Sequence, residues 1–125
     1  MIAVDTSALM AIVLGEPEAG GCIAALEDED EILISPGTLA EALIVSARRN
    51  VDAEVTSITD RLGFAIVTAA AARRVAEAYR QWGRGEHPAA LNFGNCFAYE
   101  AAQAHGCRLR YIGDDFARTD VQSLL

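Results

Sequence analysis

The sequence predicts an α/β fold, a parallel sheet covered by helices on both faces, and three observations predict it. Short apolar runs of strand length, at Ile2–Val4, Ile32–Ile34, 64–67 and 109–112, alternate with longer stretches of helical spacing. At 125 residues the chain is near the commonest size for one domain and can bury one core, so residues 1–125 are read as a single domain. A hydrophobic content of 52% with only 3 prolines belongs to a packed globule rather than a disordered tract.

Ile2-Ala3-Val4 reads as a buried first strand ending on Asp5, with the hydroxyls of Thr6 and Ser7 capping a helix to about Leu14. Gly15-Glu16-Pro17 breaks that helix. Helical spacing resumes over 18–26, and the acidic run 27–31 is a solvated turn ahead of the second strand, Ile32–Ile34. Ser35-Pro36 joins an N-cap serine to a proline at the first helical position. The helix that follows, to about Arg49, puts Leu39, Leu43, Ile44 and Ala47 on one face and Glu41 in its second turn. A further amphipathic helix fits 52–62, the third strand 64–67, an alanine-rich helix Ala69–Trp82, and a loop 83–88. Asn92 caps a helix ending at His105-Gly106, which places Asn95 in its first turn. The fourth strand, 109–112, leads into the polar turn Gly113-Asp114-Asp115 and a short segment through Thr119-Asp120-Val121.

Composition removes several chemistries. All 10 basic residues are arginine, so no lysine is present to hold P-loop phosphates, form a Schiff base or serve a kinase. A net charge of −8 opposes broad binding to nucleic acid, which counterion release drives. Contacts to RNA would come from local arginines, of which Arg48, Arg49, Arg84 and Arg118 are candidates, or from a metal ion that reverses the local sign. Cys22, Cys96 and Cys107 lack any metal-ligand spacing and read as buried reduced thiols. His87 and His105 are too isolated for a zinc site, and His105 suits the end of a helix. No apolar run nears the ~20 residues of a membrane helix, and the first residues lack the features of a signal peptide, so a cytoplasmic protein without membrane contact is expected.

Carboxylates gather where such a sheet keeps its site, beyond the carboxyl ends of the strands. Asp5 ends the first strand and Asp114-Asp115 follows the fourth, while Glu41 and Asn95 lie early in helices. Clustered carboxylates repel unless a cation neutralises them, and hard oxygen ligands without histidine or thiolate suit Mg²⁺ or Mn²⁺. Such an ion polarises a phosphoryl oxygen and activates water, so the implied reaction is phosphodiester hydrolysis. Singly each acid has a plainer reading: Asp5 as an N-cap, Glu41 as a surface residue, one of the Asp114-Asp115 pair as a turn former.

Taken in order, four segments resemble the VapC-type PIN-domain ribonucleases. They are Val4-Asp5-Thr6-Ser7-Ala8-Leu9, Ser35-Pro36-Gly37-Thr38-Leu39-Ala40-Glu41, Leu91-Asn92-Phe93-Gly94-Asn95-Cys96-Phe97-Ala98-Tyr99 and Gly113-Asp114-Asp115-Phe116-Ala117-Arg118-Thr119-Asp120. The resemblance covers essentially the whole chain, and the third and fourth segments are its most specific part. It implies a PIN-like three-layer α/β/α fold around a central sheet of about four to five mainly parallel strands. It further implies a Mg²⁺- or Mn²⁺-dependent endoribonuclease toxin that forms a homodimer, is inhibited by a VapB-type antitoxin, and meets operator DNA only through that antitoxin. By matching position Asp5, Glu41, Asn95 and Asp115 are the catalytic set, with Asp5, Asn95 and Asp115 toward the metal, Ser7 helping to hold the metal or its water, and Thr119 as a supporting hydroxyl.

Asn95 departs from the resemblance, because the family pattern has aspartate there. An amide oxygen still ligates a metal but brings no charge, and its NH₂ accepts no proton, so weak metal binding and low activity are expected. Natural decay of the site and a substitution engineered to tolerate a toxic enzyme are both compatible with asparagine, and the intact flanking pattern favours the second. A phosphatase or receiver domain fits the strand-end aspartate but lacks the lysine that those families need. The stronger rival is a PIN module that does no chemistry and acts through a partner, with helices 18–26 and 52–62 offering a groove or dimer face.

Overall fold

The computed structural model describes residues 1–122 and contains, in chain order, β1 (Ile2–Val4), α1 (Thr6–Val13), α2 (Ala19–Glu27), β2 (Ile32–Ile34), α3 (Pro36–Arg48), α4 (Asp52–Thr59), β3 (Gly63–Phe64), α5 (Ala69–Trp82), α6 (Phe93–Ala104) and β4 (Arg108–Arg110). The strands form one four-stranded sheet in the order β3-β2-β1-β4, with every pairing parallel. The predicted three-layer architecture is therefore present.

Side chains alternate across this sheet as the period of two demands. Ala3, Leu33 and Leu109 join the core packed under α5 and α6. Val4, Ile32 and Ile34 join the core on the opposite face, under α1 to α4. Because β1 is buried on both faces, it tolerates only apolar residues, and the polar residue that ends it must have a specific partner.

Topology fixes where the site lies. The chain moves outward from β1 through β2 to β3, then returns through α5 and α6 to lay β4 against the other side of β1. The direction of winding thus reverses between β1 and β4, the point beyond whose strand ends sheets of this kind open a crevice. Asp5 sits at that point, its backbone N–H continuing the ladder to the Arg110 carbonyl at 3.0 Å.

Several boundaries differ from the sequence expectation. The N-cap of α1 is Asp5 itself, whose carboxylate accepts from the Ser7 N–H, rather than a hydroxyl of Thr6 or Ser7. The third strand is shorter and earlier than 64–67: it pairs only at 63–64, on the sheet edge, and Ile66 beyond it is exposed. Helix α4 stops at Thr59, where that residue turns its hydroxyl back on the carbonyls of Val55 and Thr56. Strand β4 begins one residue early, at Arg108, in register with Ile2. Ser35 and Asn92 cap their helices as expected, through the N–H groups of Gly37 and Asn95.

Candidate active site

Asp5 forms the floor of the crevice, 3% exposed. Its Oδ2 accepts from the Ser7 backbone N–H at 3.1 Å and from Ser7 Oγ at 2.7 Å. Ser7 Oγ in turn accepts from the backbone N–H of Ile112 at 3.0 Å, tying the start of α1 to the segment leaving β4. The other carboxylate oxygen, Oδ1, is buried with no hydrogen-bond partner among the described residues. Burial pushes the Asp5 carboxyl up to about 6, and the nearby charges of Glu41 and Asp115 add to the rise, while the Ser7 hydrogen bonds oppose it. A buried carboxylate with an orphaned oxygen, beside two further acids, is the electrostatic profile of a functional site.

Glu41 is brought over this floor by α3. Thr6 Oγ1 donates to its Oε1 at 2.7 Å and lies 3.4 Å from the Thr38 carbonyl. Two glycines make the α3–α6 crossing close enough. A Cβ on Gly94 would overlap the Glu41 carboxylate, and one on Gly37 would overlap the Phe97 ring. Glycine is needed at both positions for contact rather than for backbone freedom, so Glu41 sits directly on the amino-terminal turn of α6, where the helix dipole favours a negative charge.

Asn95 is buried, 5% exposed, and closes a reciprocal cap with Asn92. Its backbone N–H donates to Asn92 Oδ1 at 2.8 Å, and its own Oδ1 accepts from the Asn92 N–H at 3.0 Å. That second bond fixes which way the amide faces. The Nδ2 group points at Asp115 Oδ2, 3.5 Å away, so a donor stands where the resemblance implies a negative charge. Asp115 itself is exposed at the rim, on the turn after β4.

A family model for the PIN domain matches residues 2–122. The chain belongs to the PIN-domain family. It is similar to VapC ribonuclease Mb2780c of Mycobacterium bovis, at 40% identity over 126 aligned positions that cover 95% of each chain. This PIN domain therefore stands among the VapC ribonucleases of toxin–antitoxin systems. Its fold is similar to Mycobacterium tuberculosis VapC20, described as a sarcin-ricin loop cleaving toxin, with a TM-score of 0.82 at 17% identity over 99% of this chain and 98% of that one. It is also similar to VapBC2 from Rickettsia felis bound to a DNA fragment from their promoter, with a TM-score of 0.72 at 18% identity over 100% and 98% of the two chains.

Four of the six residues expected at the site of this PIN domain, Asp5, Glu41, Asn95 and Asp115, converge, and Ser7 is their strut. Thr119 is not brought to a carboxylate: its hydroxyl donates to the Phe116 carbonyl at 2.7 Å and accepts from the Val121 N–H, closing the turn beyond Asp115. The orphaned Asp5 Oδ1 and the Asp115 carboxylate suit a hard cation, whereas the Asn95 oxygen is occupied by the Asn92 N–H. Among the described residues no three acidic, histidine or thiol side chains form a ready-made metal cluster. Thr6 and Gly94, which aim Glu41, were not expected from the sequence; the only signal was their adjacency to Asp5 and Asn95.

Of the thiols, Cys22 and Cys96 are buried and Cys107 is only partly so. Burial pushes the Cys96 thiol up to about 11, which makes it inert. His105 caps α6 with its ring against the Ala101 carbonyl, and His87 Nδ1 accepts from the Ala89 N–H, both structural roles. No helix among the described residues is long and apolar enough to cross a membrane.

Proposed function

We propose that this PIN domain is a Mg²⁺- or Mn²⁺-dependent endoribonuclease toxin, weakened by Asn95, acting in the cytoplasm under control of a VapB-type antitoxin. The observation that carries this reading is Asp5, ionisable, buried and with one oxygen unpartnered at the winding reversal of a VapC-like fold. Bound at Asp5 and Asp115, the cation would supply charge neutralisation, polarisation of a phosphoryl oxygen and a lower pKa for the attacking water. Ser7 holds Asp5 Oδ2 and leaves Oδ1 without a protein partner, and Thr6 holds Glu41 Oε1 and so keeps that carboxylate, the candidate proton acceptor, on the first turn of α6. In the hydrolysis a water oxygen bonds to phosphorus, the proton passes to carboxylate, and the ester oxygen on the far side leaves. Asn95 cannot add the fourth charge, and its Nδ2–H occupies Asp115 instead.

The antitoxin reading draws on a groove of 270 Å³ between α1, α2 and α4, lined by Ile12, Ile23, Leu26, Ile32, Ile58 and Leu62. It lies between the helices 18–26 and 52–62 whose apolar stripes offer a partner groove or a dimer face, and its apolar lining is of the kind that receives an amphipathic helix. Likeness to VapBC2 from Rickettsia felis, a structure bound to a DNA fragment from their promoter, supports operator DNA contact through the antitoxin, and a homodimer completes the reading.

A second reading, a PIN module that binds partners without chemistry, is favoured by the orientation of the Asn95 amide. One experiment separates the two. Mg²⁺ and Mn²⁺ are titrated by calorimetry into the protein and its Asn95→Asp form, with cleavage of pooled tRNA followed alongside. Tighter metal binding and chelator-sensitive cleavage in Asn95→Asp support the nuclease. If neither form binds metal or cuts RNA, partner binding is the function.

A further inference from the structure

Beside the carboxylates the surface carries an aromatic ridge that the hydrolytic machinery does not use. Phe93, at the first position of α6, is 69% exposed, although a ring of that size is ordinarily buried. Its orientation is fixed by Phe97, with ring centroids 5.0 Å apart at 87°. A hollow opens on each side. One, of 420 Å³, runs past Phe97 and Ile44 to Glu41, so the ridge and the site share a wall. The other, of 460 Å³, is formed with Tyr79 and Arg84. Both lie in the range of about 300–1,000 Å³ that small ligands fill. The Arg84 side chain makes no ion pair with any described residue.

We propose that Phe93 is a stacking platform for an unpaired nucleobase next to the scissile phosphate, with Arg84 on its far side contacting the backbone phosphate. The proposal rests on the ribonuclease reading. It answers a difficulty that the composition raises: a chain of net charge −8 gains little from counterion release, so affinity for RNA must come from contacts that do not depend on overall charge. Base–aromatic stacking is such a contact, and a neighbouring arginine is its usual complement in single-strand sites. A second copy of this chain suits the ridge less well, because covering it would also bury the Glu41 carboxylate on the shared wall.

The test uses a short unstructured RNA labelled with fluorescein and the same RNA with one abasic nucleotide, read by anisotropy against the full chain. The wild-type protein should prefer the intact RNA. Phe93→Leu should weaken its binding about 5- to 150-fold and abolish the preference, and Phe93→Tyr should retain both. Arg84→Gln should weaken the two RNAs equally and flatten the salt dependence. Unchanged binding by Phe93→Leu, no RNA binding by the wild type, or a dimer that becomes monomeric in Phe93→Leu overturns the platform. Cleavage by Asn95→Asp is measured separately, so base binding without cleavage sinks the nuclease reading and leaves the platform standing, and the reverse result does the opposite.

Discussion

Asp5→Asn should stabilise the cation-free protein, and the gain should grow with pH. The Asp5 carboxyl is raised from 3.8 to about 6 in the folded chain. Below about pH 4 it is protonated whether the chain is folded or not, and it contributes nothing to pH dependence. Between about pH 4 and 6 the folded state holds the proton more tightly, so its share of stability is lost as pH rises through that window. Above it the penalty is constant, and a shift of this size corresponds to about 3 kcal/mol. Asparagine keeps the N-cap of α1, accepts from Ser7 as aspartate does, and puts an uncharged NH₂ where the orphaned oxygen now lies. The difference between the two proteins, from urea denaturation in chelator, should be near zero at about pH 4 and about 2–3 kcal/mol at pH 7.5. It should shrink when Mn²⁺ is added, because the ion stabilises the wild type selectively. A pH-independent difference, or a less stable Asp5→Asn at pH 7.5, would refute the argument that burial of this charge costs the fold.

Gly94→Ala places a methyl group on the Glu41 carboxylate, so that side chain must swing off the turn and leave Thr6, or α3 and α6 must part. A loss of about 1–3 kcal/mol in thermal or urea unfolding is expected, and in an Asn95→Asp background cleavage should fall further than stability explains. Tyr99→Phe removes the hydroxyl that accepts from Trp82 Nε1 at 3.0 Å and donates to Asp120 at 2.6 Å, the clasp holding the segment after Asp115 onto α6. A cost of about 1–3 kcal/mol is expected because the indole N–H is left unpaired, and limited proteolysis should show earlier cutting after Phe116.

The four converging residues were legible because strand ends and helix starts are marked locally. Asp5 follows three apolar residues, Ser35-Pro36 announces α3 and so places Glu41, and the turn Gly113-Asp114-Asp115 follows β4. What those residues do to one another was not legible. Ser7 reaches Ile112 across 105 positions, and no local pattern signals a strut of that separation. The facing of Asn95 follows from Asn92 three residues earlier, a spacing visible in the sequence, but only the reciprocal bonds show that the oxygen is spent on the cap. Thr119 was placed near the acids by its position in the motif, whereas the turn after Phe116 uses its hydroxyl locally. Strand β3 was overextended because 64–67 is apolar; on the sheet edge apolarity does not guarantee pairing, and Ile66 is left in solvent.

On the proposed reading, positions 5 and 95 set stability against activity. As the chain stands, the Asn95 amide places a donor beside Asp115, and the Asp5 carboxylate feels the charges of Glu41 and Asp115. Asn95→Asp removes that donor and adds a buried charge beside Asp115, while the bond from the Asn92 N–H survives because a carboxylate oxygen accepts it equally well. Discounted for the exposure of Asp115, the added repulsion is about 1 kcal/mol or more. Asn95→Asp should therefore lower the cation-free melting temperature by roughly 4 °C, the reverse of Asp5→Asn. Mn²⁺ should restore the loss, since on the proposed reading a bound cation neutralises the added repulsion. If Asn95→Asp is as stable as the wild type in chelator, Asn95 is not relieving repulsion at this site, and any gain in cleavage by Asn95→Asp would have to come from cation affinity or proton transfer instead.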